Sequence, residues 1–278
     1  MCIRDRVYDL AIRRELIALG QEISARAQSI KLDEQPEEQI ILAEQNLYKI
    51  GDSGKSETGF KSFLKALNEA VQVANAAHHR DGNLAGISTG FIDLDKKMGG
   101  LHSSDLIILA GRPSMGKTSL AMNIVENIVL KQNVPVGVFS LEMTAESLIT
   151  RMICSHARLN FKHLRDGMLN GNDFQRITQT AGNLHKAPLF VDDTPGLSIL
   201  QLRAKARRMY SQYGIKLIVI DYLQLLHSTS RRATDNRQQE VAEISSGIKS
   251  LAKELSVPIV VLCQLTVSYT HLTLPTKA

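Results

Sequence analysis

The sequence predicts an α/β protein with a mostly parallel sheet and flanking helices, preceded by a small all-helical segment and a linker helix. Three observations carry this. From Gly86 onward, short apolar runs alternate with segments of helical periodicity, the pattern of parallel strands joined by crossover helices. Before that point, Val7 to Ile50 shows helical spacing only. Between them, Gly51 to Gly59 is polar with three glycines in nine residues, which reads as a linker.

The elements follow in order. Val7–Gln28 is a helix because Leu10, Ile12, Leu16, Ile17, Leu19 and Ile23 recur at helical spacing. Pro36-Glu37-Glu38 opens a second helix, Gln39–Ile50, since proline suits a first helical turn. A third helix spans Phe60 to about His79, with Phe63, Leu67, Ala70 and Ala74 on one stripe. That stripe faces either its own core or a neighbouring subunit. The expected strands are Leu106–Ala110, Val136–Leu141, Leu189–Val191, Leu217–Ile220 and Ile259–Cys263. The expected helices between them are Ser119–Lys131, Ala145–Arg158, Ser198–Tyr213 and Asn236–Leu255. Ser198 suits an N-cap and Gly214 a helix stop.

Composition bounds the function classes. With 278 residues, 44% hydrophobic and 22% charged, the chain has core enough for a large α/β domain and is neither fibrous nor disordered. A net charge of +5 favours a polyanionic partner only weakly. Cys2, Cys154 and Cys263 are far apart and have no zinc spacing, so a reduced, cytoplasmic setting is expected. No apolar run reaches the ~18 residues of a membrane span.

The chemistry concentrates in one string, Gly111-Arg112-Pro113-Ser114-Met115-Gly116-Lys117-Thr118, which matches G-x-x-x-x-G-K-[ST]. It follows an apolar strand and opens a helix, as a phosphate-binding loop requires. Gly111 and Gly116 let the backbone curl its N–H groups toward phosphate oxygens, and the helix N-terminus adds positive potential. Lys117 then places a cation at the β- and γ-phosphates of ATP, and the Thr118 hydroxyl completes a Mg²⁺ shell. Chance alone would give such a string in a chain of this length roughly once in a hundred.

Other residues gain meaning from that loop. Leu217-Ile-Val-Ile220 ends in Asp221, which delivers a carboxylate where a Mg²⁺ ligand is needed. Glu142 follows the Val136–Leu141 strand and either polarises an attacking water or caps a turn. Gln264 ends the last strand and either senses the γ-phosphate or serves a turn. Asp192 and Asp193 precede Thr194-Pro195-Gly196 and read as structural. Arg231, Arg232 and Arg237 could contact DNA phosphates, although a solvated basic loop is the stronger reading from the residues alone.

Together these pieces resemble the bacterial replicative helicase family of the DnaB type, over about Val7 to Thr266. The stretches that carry the resemblance are Gly90-Phe-Ile-Asp-Leu-Asp95, Leu109–Thr118, Phe139-Ser-Leu-Glu-Met143, Val219-Ile-Asp-Tyr-Leu-Gln-Leu225 and Asn236–Ser245. Ser140-Leu-Glu-Met143 and Asp221-Tyr-Leu-Gln-Leu225 are particular to that family. The resemblance implies a RecA-like fold and a hexameric ring that uses ATP and Mg²⁺ to move 5′–3′ along single-stranded DNA. It also implies a primase and a helicase loader as partners. It assigns Glu142 as the catalytic carboxylate, Asp221 as the Mg²⁺-linked acid and Gln264 as the γ-phosphate sensor. Competing readings are a recombinase-type RecA-like ATPase and a nucleotide-binding assembly module without turnover.

The same resemblance divides the chain. Residues 7–50 correspond to the end of an N-terminal helical domain, 51–85 to the linker with its helix, and 86–266 to a truncated ATPase domain. Residues 1–6 and 267–278 do not fit the pattern and resemble translated sequencing-adapter sequence. The expectation is a piece of a gene bounded by foreign ends. The main DNA-contacting loop, the arginine that reaches a neighbour's ATP site and the last strands would then be absent, and such a chain is expected not to unwind DNA alone.

Overall fold

The computed structural model describes residues 3–28, 36–52, 63–64, 67–68, 71–72, 84–228 and 237–265. They fall into two compact units, Met1–Asp81 and Gly82–Ala278.

The first unit contains α1 (Ile3–Gln28) and α2 (Pro36–Asp52), packed on each other. Leu19 is its one buried apolar residue among those described, while Leu10, Leu16, Ile17 and Ile23 stay exposed. The helical periodicity was legible, but a pair of helices can cover only the stripe that faces the partner. Helix α2 runs two residues into the expected linker, to Asp52. Of the third expected helix, residues 63–64, 67–68 and 71–72 are helical, and Phe63, Leu64, Leu67 and Val71 are exposed. The remainder of that helix and of the linker lies outside the described residues, as do residues 267–278.

The second unit is built on a parallel sheet. Its described strands are β1 (Leu106–Gly111), β2 (Val136–Ser140), β3 (Leu189–Asp192), β4 (Leu217–Asp221) and β5 (Ile259–Gln264). Their spatial order is β1-β5-β4-β2-β3, all parallel, so all five C-terminal ends lie on one edge. Strands β2 and β4 are buried at every position, which is why they read as unbroken apolar runs rather than alternating ones.

The helices are α3 (Ile92–Met98), α4 (Lys117–Lys131), α5 (Ala145–Ala157), α6 (Phe161–Arg165), α7 (Gly171–Leu184), α8 (Ile199–Tyr213) and α9 (Arg237–Leu255). They cover both faces. On one, α8 and α9 bring Leu202, Ala206, Ile244, Ile248 and Leu251 against Ile218, Ile220, Ile259 and Val261. On the other, α4 brings Ala121, Ile124, Val125 and Ile128 against Val136, Val138, Val219 and Leu262. Helix α8 starts and stops where expected: the Ser198 side chain accepts from Gln201 N, and Gly214 adopts φ 63°. Helices α3, α6 and α7 were not foreseen. The signal was present at Asn170 and Asp173, which form a reciprocal capping box at the start of α7.

The segment leading into β1 is pinned by Asp95 in α3. Its carboxylate accepts from Ser88 Oγ at 2.6 Å, Thr89 N at 2.8 Å and Thr89 Oγ1 at 2.7 Å. Asn127 of α4 and Gln132 just past its end donate to the carbonyls of Thr89 and Ser88. Gly90 sits between them at φ 83°, where an added Cβ would lie 2.3 Å from Asn127 Nδ2, so no other residue fits. Burial pushes the Asp95 carboxyl up, but the donated hydrogen bonds outweigh it and hold the group below the ordinary carboxylate range. Its stabilising contribution is therefore present above the unfolded-state value and is lost as pH falls through the lower native value. Asp95→Ala is expected to cost about 3 kcal/mol in urea unfolding at neutral pH, because buried donors lose a charged acceptor. The gap from the parent should close as the pH is lowered into the acid range. An equal gap at all pH values would show that the carboxylate charge is not what pins the segment.

Candidate functional site: a phosphate-binding loop at the sheet edge

Strand β1 ends at Gly111, and the chain curls through residues 112–116 before α4 begins at Lys117. Ser114 (φ 62°) and Gly116 (φ 84°) take left-handed conformations, which turn successive N–H groups to one side. Arg112, Pro113, Ser114, Met115 and Gly116 are exposed. Gly111 lies close beneath the lysine: a Cβ there would meet Lys117 Cγ at 3.0 Å. Helices α5, α7 and α8 each begin with a side-chain cap, whereas α4 has no side-chain cap and no acid in its first turn. That start of α4 suits an external anion.

Strand order brings the other candidates to this loop. Strand β5 lies between β1 and β4, with Gly111 paired to Gln264. Lys117 Nζ donates to the Cys263 carbonyl at 3.1 Å and lies 5.4 Å from the Tyr222 ring centre. Thr118 Oγ1 donates to Asp221 Oδ2 at 2.7 Å, although 103 positions separate them in sequence. The peptide bond between Asp221 and Tyr222 is cis. Leu141 N donates to the Asp221 carbonyl at 2.8 Å, which places the Leu141–Met143 turn beside β4. Ser140 Oγ closes that turn onto the Met143 carbonyl at 2.6 Å. Glu142 is exposed on it, close enough to Asp221 to act on its ionisation. A cavity of about 140 Å³ opens beside Thr118, lined in part by Asn123, Glu126, Met143 and Arg151.

Asp221 is 4% exposed. Burial raises its carboxyl above the ordinary value, the Thr118 hydrogen bond draws it back, Glu142 pushes it up and Lys117 draws it down. The net direction is upward, so the ionised form costs the fold stability. A bound cation at that carboxylate would offset the cost. Asp221→Asn keeps an acceptor for Thr118 and removes that cost. The variant is expected to melt higher than the parent without ligand and to lose the Mg²⁺ dependence of nucleotide binding. Earlier melting with the Mg²⁺ dependence intact would contradict this role.

Other candidates separate from the site. Asp192 binds Lys205 Nζ at 2.6 Å and Asp193 accepts from Ala145 N at 2.8 Å. Both therefore serve local structure, as their turn setting suggests. Arg231 and Arg232 lie outside the described residues. Arg237 begins α9. Sequence reasoning assigned no role to Gln224, whose side chain grips the end of β5. The available signal was a polar residue inside the apolar run Leu223–Leu226.

Among the described residues, no group of three His, Cys, Asp or Glu side chains could hold a metal. No described helix is long and apolar enough to cross a membrane.

Strand order, loop and acid define a P-loop domain of the RecA-like class. A family model for the DnaB-like helicase C-terminal domain matches residues 86–272. The chain is 41% identical over 270 residues to the replicative DNA helicase DnaB of Rickettsia conorii, covering 94% of this chain and 54% of that protein. It is 44% identical over 212 residues to the replicative DNA helicase DnaB of Geobacillus stearothermophilus, covering 76% of this chain and 46% of that protein. Among solved structures, a DnaB-like replicative helicase studied with its primase interactions aligns with a TM-score of 0.74 at 25% identity, over 96% of this chain and 60% of that one. A second solved structure, of an ATPase domain, aligns with a TM-score of 0.69 at 28% identity, over 76% and 73% of the two chains. The chain belongs to the DnaB-like helicase family. It spans about 54% of the length of the first of these relatives.

Proposed function

We propose that this chain is the ATP-hydrolysing part of a replicative DNA helicase subunit, which moves 5′–3′ on single-stranded DNA. The observation that carries the reading is the Thr118–Asp221 hydrogen bond beside Lys117, because it joins the phosphate loop to a buried acid. The relatives' names support the helicase reading over a recombinase-type ATPase.

The residues fit a nucleotide with a divalent cation. Thr118 and Asp221 offer two hard oxygens side by side, to which phosphate oxygens and water would add the remainder. Mg²⁺ bound there would offset phosphate charge and hold the β- and γ-oxygens in place. The chain's own residues do the rest. Residues 111–118 bind phosphate through backbone N–H groups and the Lys117 ammonium. Glu142 orients a water and takes its proton. Gln264, beside the lysine's anchor, hydrogen-bonds the γ-phosphate.

The proposed partners are single-stranded DNA, further copies of this subunit in a hexameric ring, a primase and a helicase loader. The primase rests on the structural neighbour, a DnaB-like helicase described with its primase. Arg231, Arg232 and Arg237 are the DNA-contact candidates. The test is steady-state ATPase with and without single-stranded DNA in a chain extended to the length of its relatives, beside MgATP titration. DNA-stimulated turnover is the expected result. MgATP binding without turnover would favour an assembly module, and no MgATP binding would overturn the reading.

A further inference from the structure

We propose that Gln224 is a positioning residue for the nucleotide site: its side-chain amide holds the end of β5 so that Gln264 is presented to the γ-phosphate. This rests on the proposed role of Gln264 above.

The pairing between β4 and β5 runs from Ile218↔Ile259 to Ile220↔Val261 and goes no further. Beyond Asp221 the chain leaves the sheet and forms a short 3₁₀ turn, Leu223–Leu225. The last residues of β5 would then lose their partner on that side, at the place where the strand meets the phosphate loop. Gln224 supplies the partner instead. Its Nε2 donates to the Gln264 carbonyl at 2.9 Å, and its Oε1 accepts from Gln264 N at 3.2 Å. Nε2 also lies 3.4 Å from Cys263 Sγ. A primary amide has the donor and acceptor of a peptide group, so the side chain continues the sheet by one rung.

Both sides of the joint are firm. Leu223, which begins the turn, and Leu226, which follows it, are 2% and 0% exposed. Backbone bonds Leu225 N to Tyr222 O and Leu226 N to Leu223 O, each 3.1 Å, close the turn. On the other side of β5, Leu265 N donates to the Gly111 carbonyl at 3.0 Å. The main chain of Gln264 is thus held between the first residue of the phosphate loop and Gln224. One residue earlier, the Cys263 carbonyl anchors Lys117. With its backbone fixed at both edges, Gln264 has only its side chain left to move, and its amide meets a γ-phosphate at little entropic cost.

The consequence is specific to the third phosphate. The loop and Lys117 hold the β-phosphate whether or not Gln264 is in place, so ADP affinity should not depend on Gln224, while the preference for ATP should. The test is calorimetric titration of this chain with MgATP and MgADP, for the parent and for Gln224→Leu, Gln224→Glu and Gln264→Ala. Leucine keeps the volume and removes both hydrogen bonds. Glutamate keeps an acceptor for Gln264 N but has no donor for its carbonyl, and it serves if the leucine variant fails to fold. Gln224→Leu and Gln264→Ala should each lower the ATP-over-ADP preference about tenfold, the equivalent of one lost hydrogen bond, with ADP affinity retained. A Gln264→Ala variant with the parent's preference would overturn the γ-phosphate role and the proposal with it. Loss of preference in Gln264→Ala but not in either Gln224 variant would overturn the positioning role alone. An equal fall in both affinities on Gln224 substitution would make its role one of general folding and would also overturn it.

Discussion

In a chain extended to the length of its relatives, Lys117→Ala is expected to weaken MgATP binding by about 100-fold and to abolish hydrolysis. The lysine begins α4, and its ammonium rests on the Cys263 carbonyl and over Tyr222, so it is held at the mouth of the loop in advance. Alanine suits a first helical turn and leaves residues 111–116 free to curl as before. What disappears is the side-chain cation proposed to contact the phosphates. A hydrogen bond to a charged group contributes roughly 1.5–3 kcal/mol, and the upper part of that range corresponds to the expected fall in affinity. Calorimetric titration with MgATP measures the binding, and a phosphate-release assay the turnover. Parent-like affinity together with parent-like turnover would remove the phosphate-binding assignment.

Glu142→Gln should separate binding from chemistry. Glu142 is exposed on the Leu141–Met143 turn, which Leu141 N and Ser140 Oγ fasten beside Asp221. Glutamine keeps the shape and a hydrogen-bonding oxygen but has no basic carboxylate. If Glu142 takes the proton from the attacking water, hydrolysis should fall by about 10²–10⁴-fold while MgATP binds as before. The measurement is single-turnover hydrolysis in a chain extended to the length of its relatives, with titration alongside. Hydrolysis at the parent rate would show that Glu142 serves the turn and that the base lies elsewhere.

The two substitutions probe residues of unequal visibility in the sequence. Lys117 sits inside a local pattern whose chemistry depends on the spacing of a few neighbours, so it could be assigned without knowing the fold. Glu142 and Gln264 could be placed only at the ends of strands, and each kept a structural alternative. Which strands are neighbours cannot be read from apolar runs, because such runs specify burial and not pairing. The order β1-β5-β4-β2-β3 decides it, by setting β5 between the loop strand and the Asp221 strand.

By itself the sequence determined the alternation of strands and helices, the glycine-containing loop between β1 and α4 and the acid at the end of Leu217–Asp221. Each depends on residues close in the chain: periodicity, a glycine spacing, an apolar run. Helix α6 has only 5 residues, too few for a period to show, whereas α7 was legible and overlooked: Phe174, Ile177, Ala181 and Leu184 recur at helical spacing behind the Asn170–Asp173 capping box. Tertiary structure alone decided the contacts that span long stretches of chain. Thr118 reaches Asp221, Lys117 reaches Cys263, and Gln224 grips Gln264. A hydrogen bond between side chains distant in sequence leaves no period and no spacing, and it exists only when packing of the sheet and its helices has brought donor and acceptor together.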